Sequence, residues 1–142
     1  MLWLRKSKKG FTLIELMVVV AIIGVLSLLG LRLYTGQQDK AKNAIVKANV
    51  GTIQTLIQAE LADKTVSAVN TLVGTAGAAS TLITASGIHN PFTGIAQPRN
   101  GTAGSDGLPG DIYVTLSDGV FSINGNNADG SDVYVNSLIA RK

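Results

Sequence analysis

Cysteine is absent from this 142-residue chain, which excludes a disulfide framework and a thiolate metal site. Histidine occurs once, at His89, so no histidine cluster exists for metal binding or acid–base work. Proline occurs only three times, and never before Pro91. Nothing in the first ninety residues therefore has to break a helix. Seven aromatics (three Phe, three Tyr, one Trp) are too few and too scattered to stack on nucleic acid. No nucleophile–base pair can be assembled from motif, and the reading is of a chain that is not an enzyme. Gly101-Thr102-Ala103-Gly104-Ser105 lacks the lysine and the helix of a phosphate loop.

The charge balance, 12 basic against nine acidic side chains, is local in origin. Arg5, Lys6, Lys8 and Lys9 lie in the first ten residues, leaving eight basic against nine acidic over the rest. This is a topogenic cluster of the kind that stays in the cytoplasm before an apolar span. Residues 11–31 follow, with Thr12, Glu15 and Ser27 as their only polar side chains. As a helix they would cover roughly 31 Å, matching a hydrocarbon core of ~30 Å. A secretory signal has a shorter apolar region and a small-x-small cleavage site, and Leu28-Leu29-Gly30 is not one. Glu15 is the anomaly. A charge at mid-bilayer costs about 2.5–3.5 kcal/mol even on the lenient scale, so the carboxylate needs a partner.

Lys8-Lys9-Gly10-Phe11-Thr12-Leu13-Ile14-Glu15 resembles the prepilin cleavage motif of type IV pilins and type II secretion pseudopilins, and residues 17–26 resemble the same family. The resemblance implies a leader ending at Gly10, cut by a prepilin peptidase, with the new N-terminal Phe11 then N-methylated. Glu15 and the freed Phe11 amine become the assembly residues: the carboxylate of one subunit meets the ammonium of its neighbour in a medium of low dielectric. The implied partners are further copies of the chain in a helical filament, an assembly ATPase and an inner-membrane platform. The implied location is the cytoplasmic membrane, N-terminus inside, before assembly and an extracellular pilus after it (periplasmic for a pseudopilin). Many type IV pilins have proline where Arg32 stands here; only Gly30 and Gly36 offer weak points nearby.

The expected organisation is a leader over residues 1–10, an apolar membrane and polymerisation helix over 11–31, an amphipathic continuation over 32–64, and a globular head over 65–142. The helix is read as one element from about Phe11 to about Asp63. Val46, Val50, Ile53, Ile57 and Leu61 recur on one face. Ala41, Ala44, Ile45, Ala48, Leu56 and Ala59 form a second, smaller-residue stripe. Both stripes could face one wide core, or the alanine stripe could pack between subunits.

Residues 71–88 show no clear period and read as a long connection with at most a short helix, exposed or flexible over 78–85. Asn90-Pro91-Phe92-Thr93-Gly94 reads as a turn. Strands are expected over residues 111–116, 120–124 and 133–139, with Ser117-Asp118-Gly119 as a hairpin turn. Ile112, Val114 and Leu116 should share one face, as should Val133 and Val135. The fold class is therefore α+β, a pilin-like long helix against a small antiparallel sheet.

Two readings stay open for the polar loop. Asn124, Asn126, Asp129 and Asp132 could supply calcium oxygens, and pseudopilins resemble this chain in having a C-terminal calcium loop. No EF-hand spacing is present, however, and Asx-Gly clusters are ordinary turn chemistry. No other cofactor is indicated. Asn100-Gly101-Thr102 matches a glycosylation sequon or a tight turn. The function expected is that of a type IV pilus subunit serving adhesion, motility or DNA uptake. The alternatives are a type II secretion pseudopilin and a single-pass anchored binding domain that never polymerises.

Overall fold

The computed structural model describes residues 10–97, 100–101 and 107–142. The basic cluster at Arg5, Lys6, Lys8 and Lys9, the first nine residues of the expected leader, and Thr102, Gly104 and Ser105 lie outside them. The chain divides into two compact units, Met1–Gln37 and Gln38–Lys142. Helix α1 (Leu13–Asp63) contributes to both. In the first unit its side chains are exposed. The second unit, the head, is an α+β assembly of the last part of α1, two short helices and one sheet.

The head is organised by the apolar stripe of α1. Val46, Val50, Ile53, Ile57 and Leu61 are all buried, and they join Ile112, Val114, Phe121, Ile123 and Ala140 of the sheet in one core. The sheet is an antiparallel meander in the order β1 (Ile112–Ser117), β2 (Val120–Gly125), β3 (Leu138–Arg141). Alternation places Ile112 and Val114 of β1, and Phe121 and Ile123 of β2, toward the helix. Leu116, opposite Phe121 on the same face, is 37% exposed, next to the hairpin on the outer strand β1. Asp118 (φ 50°) and Gly119 (φ 79°) both take the left-handed conformation of a two-residue hairpin turn. Gly125 is needed for close approach: a Cβ there would lie 2.6 Å from Val46 Cγ1 and 3.2 Å from Val50 Cγ2.

Three expectations are corrected. The stretch read as a connection holds α2 (Val66–Val73) and α3 (Thr81–Ser86). Thr65 caps α2 by accepting from Ala68 N at 3.3 Å, and Ser80 caps α3 by accepting from Ile83 N at 3.1 Å. Val66, Val69 and Val73 give α2 an apolar face that begins before the stretch that looked aperiodic. Second, residues 78–85 are not simply exposed: Ser80, Leu82 and Ile83 are buried, and Ser80 also donates to Leu72 O at 3.2 Å. Third, the last strand begins at Leu138 and not at 133. The Asn124 side chain takes the backbone that an earlier strand would need, donating from Nδ2 to Tyr134 O (2.9 Å) and accepting from Tyr134 N at Oδ1 (3.2 Å). Val133 is buried and Val135 is fully exposed, so they do not share a face. The Asn90 turn is as expected: its Oδ1 accepts from Phe92 N at 2.8 Å and Thr93 N at 3.3 Å.

Tyr113 is buried, and its hydroxyl donates to Asp132 Oδ1 at 2.6 Å. Burial first, and then the Asp132 carboxylate, push its phenol above the ordinary value. The folded chain thus holds this proton more tightly than the unfolded chain. The resulting stability is complete below the free-phenol value of about 10 and is lost as pH rises above it.

Two measurements follow from this packing. Gly125→Ala should lower the urea midpoint of the full chain in detergent micelles, by the equivalent of about 1–3 kcal/mol for an overpacked core; an unchanged midpoint would show that the sheet is not seated this closely on α1. Tyr113→Phe should flatten the fall in melting temperature above pH 10, while a fall as steep as in the wild type would remove Tyr113 as its source.

Candidate processing and assembly site

Helix α1 opens on a capping box. Thr12 precedes its first residue, and Glu15 N donates to Thr12 Oγ1 at 3.3 Å. In return Glu15 Oε2 accepts from Thr12 N at 2.9 Å and from Thr12 Oγ1 at 2.8 Å. Thr-x-x-Glu is the reciprocal pattern that satisfies donors left without partners at a helix start. The carboxylate also lies against the positive end of the helix dipole. The partner expected for Glu15 is the Phe11 ammonium of a neighbouring subunit; Thr12 is a partner within the same chain. The four-residue spacing Thr12-Leu13-Ile14-Glu15 was the signal for an intrachain one.

Gly10 and Phe11 stand immediately before this box. Phe11 is 92% exposed, and a Cβ at Gly10 would have no heavy atom within 4 Å. Among the described residues, nothing crowds the Gly10–Phe11 peptide bond. Past the box, the apolar side chains of residues 13–33 are exposed, Leu13, Ile14, Val18, Ile22 and Leu29 among them. The most apolar 18-residue window of α1 has a mean hydropathy of 2.7 with none of it buried inside the chain. By length and composition this helix can cross a membrane. Each such side chain gains about 1.5–3 kcal/mol on leaving water, so lipid or other protein has to cover them.

The second stripe of α1 also has its small residues on the outside. Ala41, Ala44, Ile45, Ala48 and Ala59 are exposed, and only Leu56 packs partly against the core. The wide-core reading therefore does not describe the head.

The four proposed calcium donors are distributed through other hydrogen bonds. Asn124 is buried; its Oδ1 accepts from Gly125 N (2.9 Å) and from Tyr134 N, as above, and its Nδ2 also donates to Ser137 Oγ (3.3 Å). Asn126 is buried, with Nδ2 donating to Leu108 O at 3.3 Å. Asp129 Oδ1 accepts from Ser131 N (3.0 Å) and Oγ (2.6 Å), which hold this exposed carboxyl below its usual range. Asp132 takes the Tyr113 phenol. No three His, Cys, Asp or Glu residues gather among the described residues. In this arrangement the four side chains bond to the protein itself, whereas a calcium ion needs six to eight converging oxygens. His89 is exposed and forms an isolated antiparallel bridge with Ala96, its Nδ1 2.9 Å from Gly87 O. Asn100 is fully buried with its amide donating to Gly74 O and Val114 O, which leaves no room for a glycan on Nδ2.

The family described as the prokaryotic N-terminal methylation motif matches residues 5–31, spanning the Gly10–Phe11 bond and the capping box. Fimbrial protein EcpB of Eikenella corrodens is 45% identical over 56 residues, 39% of this chain and 35% of that protein. Type II secretion system core protein G of Pseudomonas aeruginosa is 41% identical over 49 residues, 34% of each chain. With the first relatives, then, the chain shares little more than a third of their length. The match to fimbrial protein EcpC of Eikenella corrodens is broader, 30% identity over 126 residues, 84% of this chain and 82% of that one. The chain belongs to the type IV pilin and type II secretion pseudopilin family. It is a family of structural subunits, and the α+β fold of this pilin is in keeping with that. No solved structure matches it.

For this pilin the loop geometry makes a calcium measurement decisive. Millimolar calcium should leave the melting temperature of the full chain unchanged. A rise that Asp129→Ala and Asp132→Ala abolish would show that the loop reorganises around the ion.

Proposed function

We propose that this chain is the subunit of a type IV pilus, made as a membrane precursor, cut after Gly10, N-methylated at Phe11 and polymerised through its N-terminal helix. The observation that carries this reading is the coincidence, within six residues, of an uncrowded Gly10–Phe11 bond, a carboxylate and the start of an apolar helical segment, residues 13–33, that buries nothing within its own chain. The exposed alanine stripe adds to it, since small residues let helices approach closely.

The chemistry runs in sequence. Before the cut, Glu15 is satisfied by Thr12 of the same chain. Cleavage by a prepilin peptidase creates an ammonium at Phe11, and methylation keeps its charge. An ammonium from a neighbouring subunit is a stronger partner for Glu15 than a neutral hydroxyl, because it adds the attraction of two full opposite charges. Burial between helices strengthens the pair again by lowering the dielectric. The pair then sets the axial register of the filament. An assembly ATPase and its inner-membrane platform supply the work of extraction, and the product is an extracellular pilus serving adhesion, motility or DNA uptake. The similarity to the Pseudomonas core protein G supports a second reading, a pseudopilin in a periplasmic filament of a secretion system.

Sheared surface filaments examined by electron microscopy and mass spectrometry test the proposal. The filament protein should begin at methylated Phe11. Glu15→Ala should insert in the membrane as the wild type does, yet yield few or no filaments. Normal filament number and length in that variant, or a native chain that keeps its leader, would refute it; filaments confined to the periplasm would favour the pseudopilin.

A further inference from the structure

A three-stranded sheet has two edges, and an unpaired edge offers its N–H and C=O groups to any other chain. Both edges here are occupied by side-chain amides. On β3, Gln54 Nε2 donates to Ile139 O at 2.8 Å. Gln58 Nε2 donates to Arg141 O at 3.0 Å, and its Oε1 accepts from Arg141 N at 3.4 Å. On β1, Gln97 Nε2 donates to Ile112 O at 2.6 Å and its Oε1 accepts from Ile112 N at 2.9 Å. Asn100 repeats this two residues along, with Nδ2 to Val114 O at 2.8 Å and Oδ1 from Val114 N at 2.7 Å. Three of the four amides reproduce both hydrogen bonds that a neighbouring strand would make.

The register explains why these positions are the ones covered. β2 pairs with β1 at Tyr113↔Asn124 and Thr115↔Ser122, and with β3 at Phe121↔Ala140 and Ile123↔Leu138. The alternate residues, Ile112 and Val114 on β1 and Ile139 and Arg141 on β3, turn their backbone groups outward, where the amides meet them. Gln54 and Gln58 are spaced i, i+4 on α1, so they lie side by side along a strand whose outward groups repeat every second residue.

We propose that these four amides are a device against strand addition: they keep the head from pairing edge to edge with another copy, so that copies associate only through helix surfaces. The proposal rests on the polymerisation reading for its purpose. Heads tethered in a filament meet at very high effective concentration, where a weak edge contact would become a permanent one. Its test, however, uses unassembled chains and is independent of whether filaments form.

The absence of cysteine makes the test clean. Ile139→Cys places a single thiol on the exposed side of β3. The full chain is then treated in detergent micelles with a short bis-thiol cross-linker, in three backgrounds: wild type, Gln58→Met and Gln58→Lys. Met removes both amide bonds at an exposed helical position. Lys also removes the amide, but it keeps a donor and adds the charge that natural edge strands use against pairing. Gln58→Met should raise the cross-linked dimer severalfold, and Gln58→Lys should stay at the wild-type level. A Gln58→Met yield equal to wild type, or equal yields for Met and Lys, would overturn the proposal. If Gln58→Met loses the near-ultraviolet signature of a packed head, Gln54→Met, which strips only the Ile139 cap, is judged by the same criterion.

Discussion

One stripe of five side chains holds this head together. Val46, Val50, Ile53, Ile57 and Leu61 are buried on α1, and the sheet and both short helices are packed around the core they begin. At about 1.5–3 kcal/mol for each fully buried side chain, their gross contribution is of the order of the whole net stability of a small domain, about 5–15 kcal/mol. Other local features follow from seating a sheet on that stripe. Gly125 lacks a side chain because Val46 and Val50 occupy the space. β1 and β2 are joined by the tightest hairpin turn because both must present their apolar faces to one helix.

Charge contributes little to this architecture. Among the described residues the ion pair is Lys64 with Glu60, one turn apart on the surface, and exposed pairs of that kind are worth 1 kcal/mol or less. Amide side chains do the work that disulfides or ion pairs do elsewhere. Gln54, Gln58, Gln97, Asn100 and Asn124 each bond backbone groups far away in sequence. Asn and Gln suit this task because each carries a donor and an acceptor, the same pair that a peptide group presents.

The elements legible in the sequence were those with a strong period. The helix from about Phe11 to Asp63, its buried stripe, the first two strands and the hairpin between them could all be read from spacing. What escaped reading depended on side chain-to-backbone bonds that leave no period. The start of β3 was displaced because Asn124 captures Tyr134. α2 and α3 were hidden by their brevity and by Gly74 between them, although Thr65 and Ser80 are ordinary caps. At the candidate site, Gly10, Phe11 and Glu15 stood out by resemblance and by the cost of a charge among apolar residues. The Thr12 partnership is a local capping pattern, which the cost of a charge in a bilayer does not reveal.

The clasp between α1 and β3 has a consequence in time. Gln54 and Ile139 are 85 residues apart, and Gln58 and Arg141 are 83 apart. The helix is made well before the strand. Long-range pairing of this kind is slow, because a large loop must close before any contact rewards it. The α1 stripe therefore waits for its full cover until translation has delivered β3, more than 80 residues after Gln54 and Gln58.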